Sequence, residues 1–560
     1  MTRIKQLISL LFLLAMNIHL CNAHAQSKPD TRLVLQITID GLRADLISRY
    51  QKNFGKEGFR YLLDKGVVYT NAHYLHANTE TIVGHTTLAT GTYPSVHGMV
   101  GNVWYDREAG ELSYNIEDSK HPLIATRKKM TQAEQVDPAQ KLSRTQGRSP
   151  TPILAATLSD GLAAYYGGRS KIFGVSGKDR SAVAMAGHVG KAFWYSTNTG
   201  DMVTSTYYYK AYPDWASQWN AQRKAEQYSG KSWQLLNDKA TYLLSAQDDR
   251  PYETDLKGYG RVFPHPFGKA GDKLFPTKLF ISPINDKLLL DFSKRLIKHE
   301  QLGQDNVPDY LSISFSAVDA VNHFFGPSSL ENEDVVLQLD RTLADLFKYI
   351  DKTIGLKKTL IVLSADHGMA EMPEYMTELG YKVARLKPEQ IINTANEAVK
   401  KLFGINKVVR FFFRPYLYLD ENIIAKAKLD QAKVEQAIAT ELMKNEGIAL
   451  AVPREVTISQ LSNPVVQQIK RNFHATRSGD IYVAQKPYWF LLESGPIAVM
   501  HGSPWRYDTH VPIIFTATNI KAKTVQRLVH PVDVAPTIAN YLGITQPSST
   551  QGKLLEEVLE

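Results

Sequence analysis

The chain has 560 residues, a formal net charge of +9 and a single cysteine, Cys21. One cysteine excludes a disulfide scaffold and a thiolate metal site, and the positive balance suits an anionic substrate without locating it. No cluster of basic and aromatic residues resembles a nucleic-acid module and no Gly-x-x-x-x-Gly-Lys-Ser/Thr loop occurs, so nucleic acid is not an expected partner and a P-loop nucleotidase is excluded.

Residues 1–25 hold Arg3 and Lys5, an apolar run from Leu7 to Met16, and Ala23-His24-Ala25, a small-x-small cleavage pattern. This is the layout of a secretory signal. The apolar run is shorter than the roughly 20 residues a bilayer requires, and no later segment is long and apolar enough, which predicts a periplasmic or secreted protein without membrane insertion. Cleavage removes Cys21 and lowers the net charge by two, so stability must come from burial. The remaining chain, about 535 residues, suffices for two or three domain-sized units.

Arg32 to Ile39, RLVLQITI, is an apolar, β-branched run of strand length that ends in Asp40-Gly41. Glu80 to Asn102, ETIVGHTTLATGTYPSVHGMVGN, holds five threonines, two histidines, four glycines and one charge. His85 to Leu88 reads as helical, which puts Thr81 near a helix N-terminus whose free N–H groups favour anions. By composition alone Thr81 is a cap, and Thr86, Thr87, Thr90 and Thr92 are helix-surface, packing and turn residues. Lys171 to Val175 reads as a strand leading to Lys178 and Arg180. In an extended segment, residues two apart point the same way, toward one ligand. Taken by itself, that pair is a solvated turn.

Asp309 to Phe315, DYLSISF, is a further strand and leads to Asp319 and His323, whose spacing of four places both on one face of a helical turn. Val336, Leu339, Leu343, Phe347, Ile350 and Ile354 recur at helical spacing, with Gly355 as the stop. Thr359 to Leu363 follows as a strand and ends Ser364-Ala365-Asp366-His367-Gly368. This βαβ unit predicts an α/β fold, a largely parallel sheet with helices on both faces, and ligands bind such sheets beyond the carboxyl ends of the strands. The catalytic core spans residues 26–368 and 489–560. Residues 369–488, with charged helical stretches such as Ile423 to Asn445 and strand-like pieces such as Val408 to Phe413, read as an inserted cap. Residues 191–283, rich in Trp and Tyr, are a second candidate insertion.

Asp40, Asp319 and Asp366 with His323, His367 and His501, the last in Met500-His501-Gly502-Ser503-Pro504, give three carboxylates and three imidazoles at predicted sheet edges. That set suits zinc first, since calcium or magnesium would not call for three histidines. Two metals about 4 Å apart could clamp both oxygens of an in-line displacement. His73, His76, His121, His188, His265, His299, His474, His510 and His530 read as capping or hydrogen-bonded surface residues.

ITIDGLRAD (Ile37 to Asp45), Thr81 to Asn102, Gly177-Lys178-Asp179-Arg180, DAVNH, SADHG and MHGSP together resemble the alkaline phosphatase superfamily. The set is most similar to its phosphate-irrepressible (PafA-type) periplasmic enzymes with a threonine nucleophile, with nucleotide pyrophosphatase/phosphodiesterases as near relatives. The resemblance implies that Thr81 is the nucleophile, activated as an alkoxide on a metal. It also implies that Asp40, Thr81, Asp366 and His367 hold one Zn(2+) and Asp319, His323 and His501 a second, and that Asn102 donates to a phosphoryl oxygen. Where relatives often have Pro or Asn before the histidine of this loop, the chain has Val83-Gly84, which predicts a more flexible loop. Lys178 and Arg180 resemble the pair that grips phosphate oxygens in monoesterases, a pair that diesterases generally lack, and a monoester dianion offers such a fork more charge. The expectation is an exported, monomeric phosphomonoesterase acting on small phosphate esters through a phosphothreonine. A phosphodiesterase or nucleotide pyrophosphatase is the alternative within enzymes, and an inactive exported phosphate- or metal-binding protein the alternative outside them. A sulfatase would need Cys or Ser at position 81, and a metal-independent mutase of the superfamily uses Ser.

Overall fold

The computed structural model describes residues 30–124, 137–458, 462–491 and 497–560; the signal over residues 1–25 lies outside the described residues. Nine strands build the central sheet: β1 (Leu33–Ile39), β2 (Val67–His73), β3 (Ile172–Ser176), β4 (Lys191–Tyr195), β5 (Met202–Val203), β6 (Asp309–Phe315), β7 (Thr359–Ser364), β8 (His510–Thr516) and β9 (Lys523–Val525). Their order is β9-β2-β8-β7-β1-β6-β3-β4-β5. The middle run from β7 to β4 is parallel, and the antiparallel β8 joins it to the β2–β9 edge.

Alternation along the buried strands divides their side chains between two cores. Leu33, Leu35, Ile37 and Ile39 of β1 join one cluster, together with Ile313, Leu363 and the helices α3 (Pro283–His299) and α5 (Leu330–Thr353). Val34, Leu360 and Val362 face the opposite cluster, where the helix Val534–Leu542 packs. Helices thus cover both faces, as the continuous apolar strands require.

Register sets the site. Ile39 pairs with Phe315, Thr38 with Ser364 and Ser314 with Ser176, so β1, β6, β7 and β3 end level with one another. Asp40, Asp366, Lys178 and the helix α4 (Ala317–Phe325), which carries Asp319 and His323, leave that one edge.

The two candidate insertions behave differently. Residues 191–283 begin inside the central sheet, because Lys191–Tyr195 and Met202–Val203 are its last two strands; only then does the chain leave, to pack Trp215, Trp219, Trp233 and Tyr259 into the core of α3 and α5. Within 369–488, Val409–Phe413, Tyr416–Leu419, Ile481–Gln485 and Ile448–Pro453 form a separate antiparallel sheet in that spatial order. The helices Pro388–Phe403 and Gln431–Leu442 pack on one of its faces. Its other face sets Tyr416, Tyr418 and Tyr482 against Ile82, Val83, Met99 and Val100. The helical stretch read over 423–445 is two helices, Glu421–Lys426 and Gln431–Leu442, because Asp430 caps the second and Lys428 turns at φ 57°.

Candidate active site

Helix α1 (Thr81–Thr90) opens on Thr81 as its first residue, and all ten of its residues are buried. Thr81 Oγ1 lies 3.5 Å from Lys178 Nζ and 3.4 Å from an Arg180 terminal nitrogen. Asn102 Oδ1 accepts from Ile82 N at 3.3 Å, next to it. The segment read as a flexible loop is therefore a packed helix. Gly84 meets the Asp366 carbonyl so closely that a Cβ would stand 2.0 Å from its oxygen, which excludes Pro or Asn there. Of the surface, packing and turn roles read for Thr86, Thr87, Thr90 and Thr92, the surface one does not hold: each is buried, and Thr87 and Thr90 return their hydroxyls to Val83 O and Thr86 O.

Lys178 and Arg180 reach Thr81 by a route other than the extended pairing expected of them. Lys178 is the extended residue just before helix α2 (Asp179–Ala186), and Arg180 sits in that helix's first turn. Asp137, 2.6 Å away, holds the Arg180 guanidinium, while Asp179 holds Arg148 at 2.7 Å and Tyr114 OH at 2.7 Å.

The six predicted metal ligands converge. Asp40, Asp366 and His367 form one group able to hold an ion, and Asp319, His367 and His501 form another. His323 Nε2 lies 3.4 Å from Asp319, and the His367 and His501 rings stack with centroids 3.5 Å apart. In each histidine Nδ1 is tied to a backbone carbonyl: His367 to Gly368 O at 2.8 Å, His501 to Thr79 O at 2.8 Å and His323 to Val499 O at 2.9 Å. A protonated Nδ1 leaves Nε2 as the lone-pair nitrogen, the form a metal needs.

The donor atoms themselves test the fit. Asp40 Oδ1, Asp319 Oδ1, Asp366 Oδ2 and His367 Nε2 are buried and make no hydrogen bond of acceptable geometry. Each faces other members of the cluster: His367 Nε2 lies 3.3 Å from both Asp40 Oδ1 and Asp366 Oδ2, and His501 Nε2 lies 3.7 Å from Asp319 Oδ1. Lys178 Nζ is 2.8 Å from Asp40 Oδ2 and pairs with Asp319 as well. Burial pulls that ammonium down and the two carboxylates more than restore it, so its pKa is raised; burial and the neighbouring acids raise Asp40. Converging buried acids and imidazoles with unused inward atoms are the chemistry of a cation site.

Sequence reasoning missed His85 as a site residue. Its Nδ1 lies 2.8 Å from Thr81 O and 3.1 Å from Asp366 Oδ2, and Nε2 meets Ser314 Oγ at 2.9 Å, so it steadies a candidate ligand. The signal was its spacing of four from Thr81, the same spacing used for Asp319 and His323. Asp137 gave no comparable signal. Two histidines read as surface residues are core residues: His76 is fully buried against Tyr74 and burial lowers its pKa to about 3, and His265 is buried 3.1 Å from Glu331. Lys178, Arg180, Asn102, His323 and His501 face a cavity of about 140 Å³, whose wall includes Trp194, Phe280, Phe324 and Phe413.

A parallel sheet whose carboxyl edge gathers three acids and three imidazoles around a buried hydroxyl is the fold of the alkaline phosphatase-like hydrolases. The chain belongs to the type I phosphodiesterase / nucleotide pyrophosphatase family, which it matches over residues 34–504. It is similar to the alkaline phosphatase PafA of Elizabethkingia meningoseptica, with 32% identity over 95% of each chain, and to the alkaline phosphatase PhoV of Synechococcus elongatus, with 32% identity over 94% of this chain and 93% of that one. The crystal structure of wild-type PafA superposes with a TM-score of 0.86 at 30% identity, covering 96% of this chain and all of the other. Murine ectonucleotide pyrophosphatase/phosphodiesterase 5 shares the fold, with a TM-score of 0.51 at 13% identity over 92% of this chain and 95% of that one.

Proposed function

We propose that the chain is an exported, monomeric alkaline phosphatase that hydrolyses small phosphate monoesters through a phosphothreonine on Thr81, with two zinc ions. The observation that carries this is the place of Thr81 Oγ1: at the N-terminus of a buried helix, within reach of Arg180 and of Lys178, whose ammonium also meets Asp40 and Asp319 of the two ligand groups. Full-length relatives named alkaline phosphatase support it. Export rests on the signal read over residues 1–25, and no described helix is long and apolar enough to cross a membrane. Residues 369–488 act as an inserted cap.

Asp40, Thr81, Asp366 and His367 would hold one zinc, and Asp319, His323 and His501 the other. Zinc supplies an activated oxygen nucleophile near neutral pH and stabilises charge on a departing oxygen. The chain does the rest. Thr81 Oγ1 gives its proton to solvent and attacks phosphorus in line, the ester P–O bond breaks, and the alcohol leaves with a proton from solvent. Lys178 and Arg180 neutralise the equatorial oxygens as charge redistributes. Asn102 commits its Oδ1 to Ile82 N, which leaves its Nδ2 to donate to phosphate. Water then opens the phosphothreonine, releasing phosphate and restoring Thr81.

Within the family a phosphodiesterase is the competing reading, and Lys178 with Arg180 favours the monoester dianion. Turnover of an aryl phosphate beside its methyl diester tests this. Faster turnover of the monoester is expected, and faster turnover of the diester contradicts it.

A further inference from the structure

We propose that Arg414, carried by the cap, is a positioning residue that sets Thr81, Asn102 and His501 relative to one another; this rests on the phosphatase reading of the site. Arg414 lies between the strands Val409–Phe413 and Tyr416–Leu419 and is 3% exposed. Its guanidinium reaches two segments of the core at once. One nitrogen donates to His501 O at 2.5 Å, and another stands 3.6 Å from Glu80 Oε1.

Both partners adjoin the chemistry. Glu80 immediately precedes Thr81, is itself buried, and uses its second oxygen to accept from Asn102 N. A single carboxylate therefore links the cap guanidinium to the backbone of Asn102, whose side chain in turn meets Ile82 N. His501 presents its carbonyl to Arg414 because Gly502 turns at φ +101°. A Cβ there would stand 3.1 Å from Asn78 Oδ1 and 3.3 Å from both Glu80 and Arg414. Only glycine suits that conformation in so tight a place.

A second cap residue holds the Glu80 segment and the segment that carries Asn102. Asn472 Oδ1 accepts from Asn78 N at 3.2 Å, and its Nδ2 donates to Val100 O at 3.1 Å and Tyr416 OH at 2.8 Å. The cap thus grips residues 78–80 through both Arg414 and Asn472, and 100–102 through Asn472, rather than merely covering them. Arg414 is the charged member of that grip. A planar fork can serve a carboxylate and a carbonyl in different segments, whereas a lysine is a point donor that cannot span both.

The test is steady-state turnover of an aryl phosphate and its methyl diester by Arg414→Met and Arg414→Lys, each made in the parent protein and in Asn102→Ala, with melting temperatures recorded alongside. Arg414→Met is expected to lower kcat about ten- to a hundredfold with KM moving far less. Arg414→Lys is expected to fall between it and the parent. In Asn102→Ala the loss is expected to shrink, because the side chain being placed is gone. A kcat within about twofold of the parent, or the same factor lost in both backgrounds, would overturn the proposal and leave Arg414 a purely structural residue. If Arg414→Met does not fold, Arg414→Lys decides by the same comparison, since it keeps the buried charge. A parent protein active only on the diester would defeat the monoesterase reading alone, and the Arg414 comparison would then be read on the diester.

Discussion

Asp334 and Asp366 are both fully buried aspartates, yet they meet different surroundings. Asp334, on α5, accepts from Trp233 Nε1 at 2.6 Å, Tyr242 OH at 2.5 Å, Leu236 N at 2.7 Å and Gln338 Nε2 at 2.7 Å. Asp340, further along that helix, takes the Gly55 and Phe59 amides at 2.8 Å each. Asp366 gives Oδ1 to the Gly41 and His367 amides at 3.1 Å, but Oδ2 accepts no hydrogen bond and lies against the rings of His85 and His367. Asp334 and Asp340 are matched by directed donors and fix the fold. The acids at the sheet edge keep oxygens aimed at one another and at imidazoles, an arrangement that a cation stabilises and an empty protein does not. Burial alone does not distinguish structure from site; the partners do.

The largest effect should come from removing that cation. Chelation is expected to abolish phosphatase activity, with zinc restoring it, and to lower the melting temperature, because ions that bind only the folded state stabilise it. Activity unchanged after chelation would erase the contrast between the two groups of acids. Next comes Thr81→Ala, expected to lower kcat/KM at least about a thousandfold while the bound metal of the remaining ligands persists. Parental activity in that variant would remove the covalent route. Arg180→Met should cost about a hundred- to a thousandfold in kcat on a monoester and less on a diester, as read from paired assays.

The matched acids should respond in the opposite sense. Asp334→Asn brings an amide against donors and is expected to cost about 1–3 kcal/mol in a denaturant melt, with kcat unchanged. The smallest effect concerns His188, whose hydrogen bond to Asp160, 2.7 Å away, raises its pKa above the ordinary 6.5. A pKa higher in the folded state means that the contribution is fully present below pH 6.5 and is lost as pH rises through the folded value. The gap in stability between the parent and His188→Gln should therefore be wider at pH 5 than at pH 9, and equal gaps would contradict the assignment.

Much of this was legible because the decisive signals are local. Each of β1, β6 and β7 is a largely apolar, fully buried run closed by an acid within a few residues, and α4 states its ligand spacing in five letters. What sequence could not supply was wiring between distant segments. Lys178 and Arg180 looked like an extended pair because nothing nearby showed that a helix starts between them. Thr86, Thr87 and Thr90 could not be sorted among surface, packing and turn roles because the faces that bury them come from elsewhere in the chain. Asp137, His85 and Arg414 act through partners that only the folded chain brings near.

Anomalous diffraction at the zinc edge from crystals of the purified protein tests directly whether these acids and imidazoles seat two zinc ions. Two peaks about 4 Å apart are expected, one among Asp40, Asp366 and His367 and one among Asp319, His323 and His501, with Thr81 Oγ1 beside the first. Strong peaks elsewhere, or none within these residues in an active protein, would contradict it.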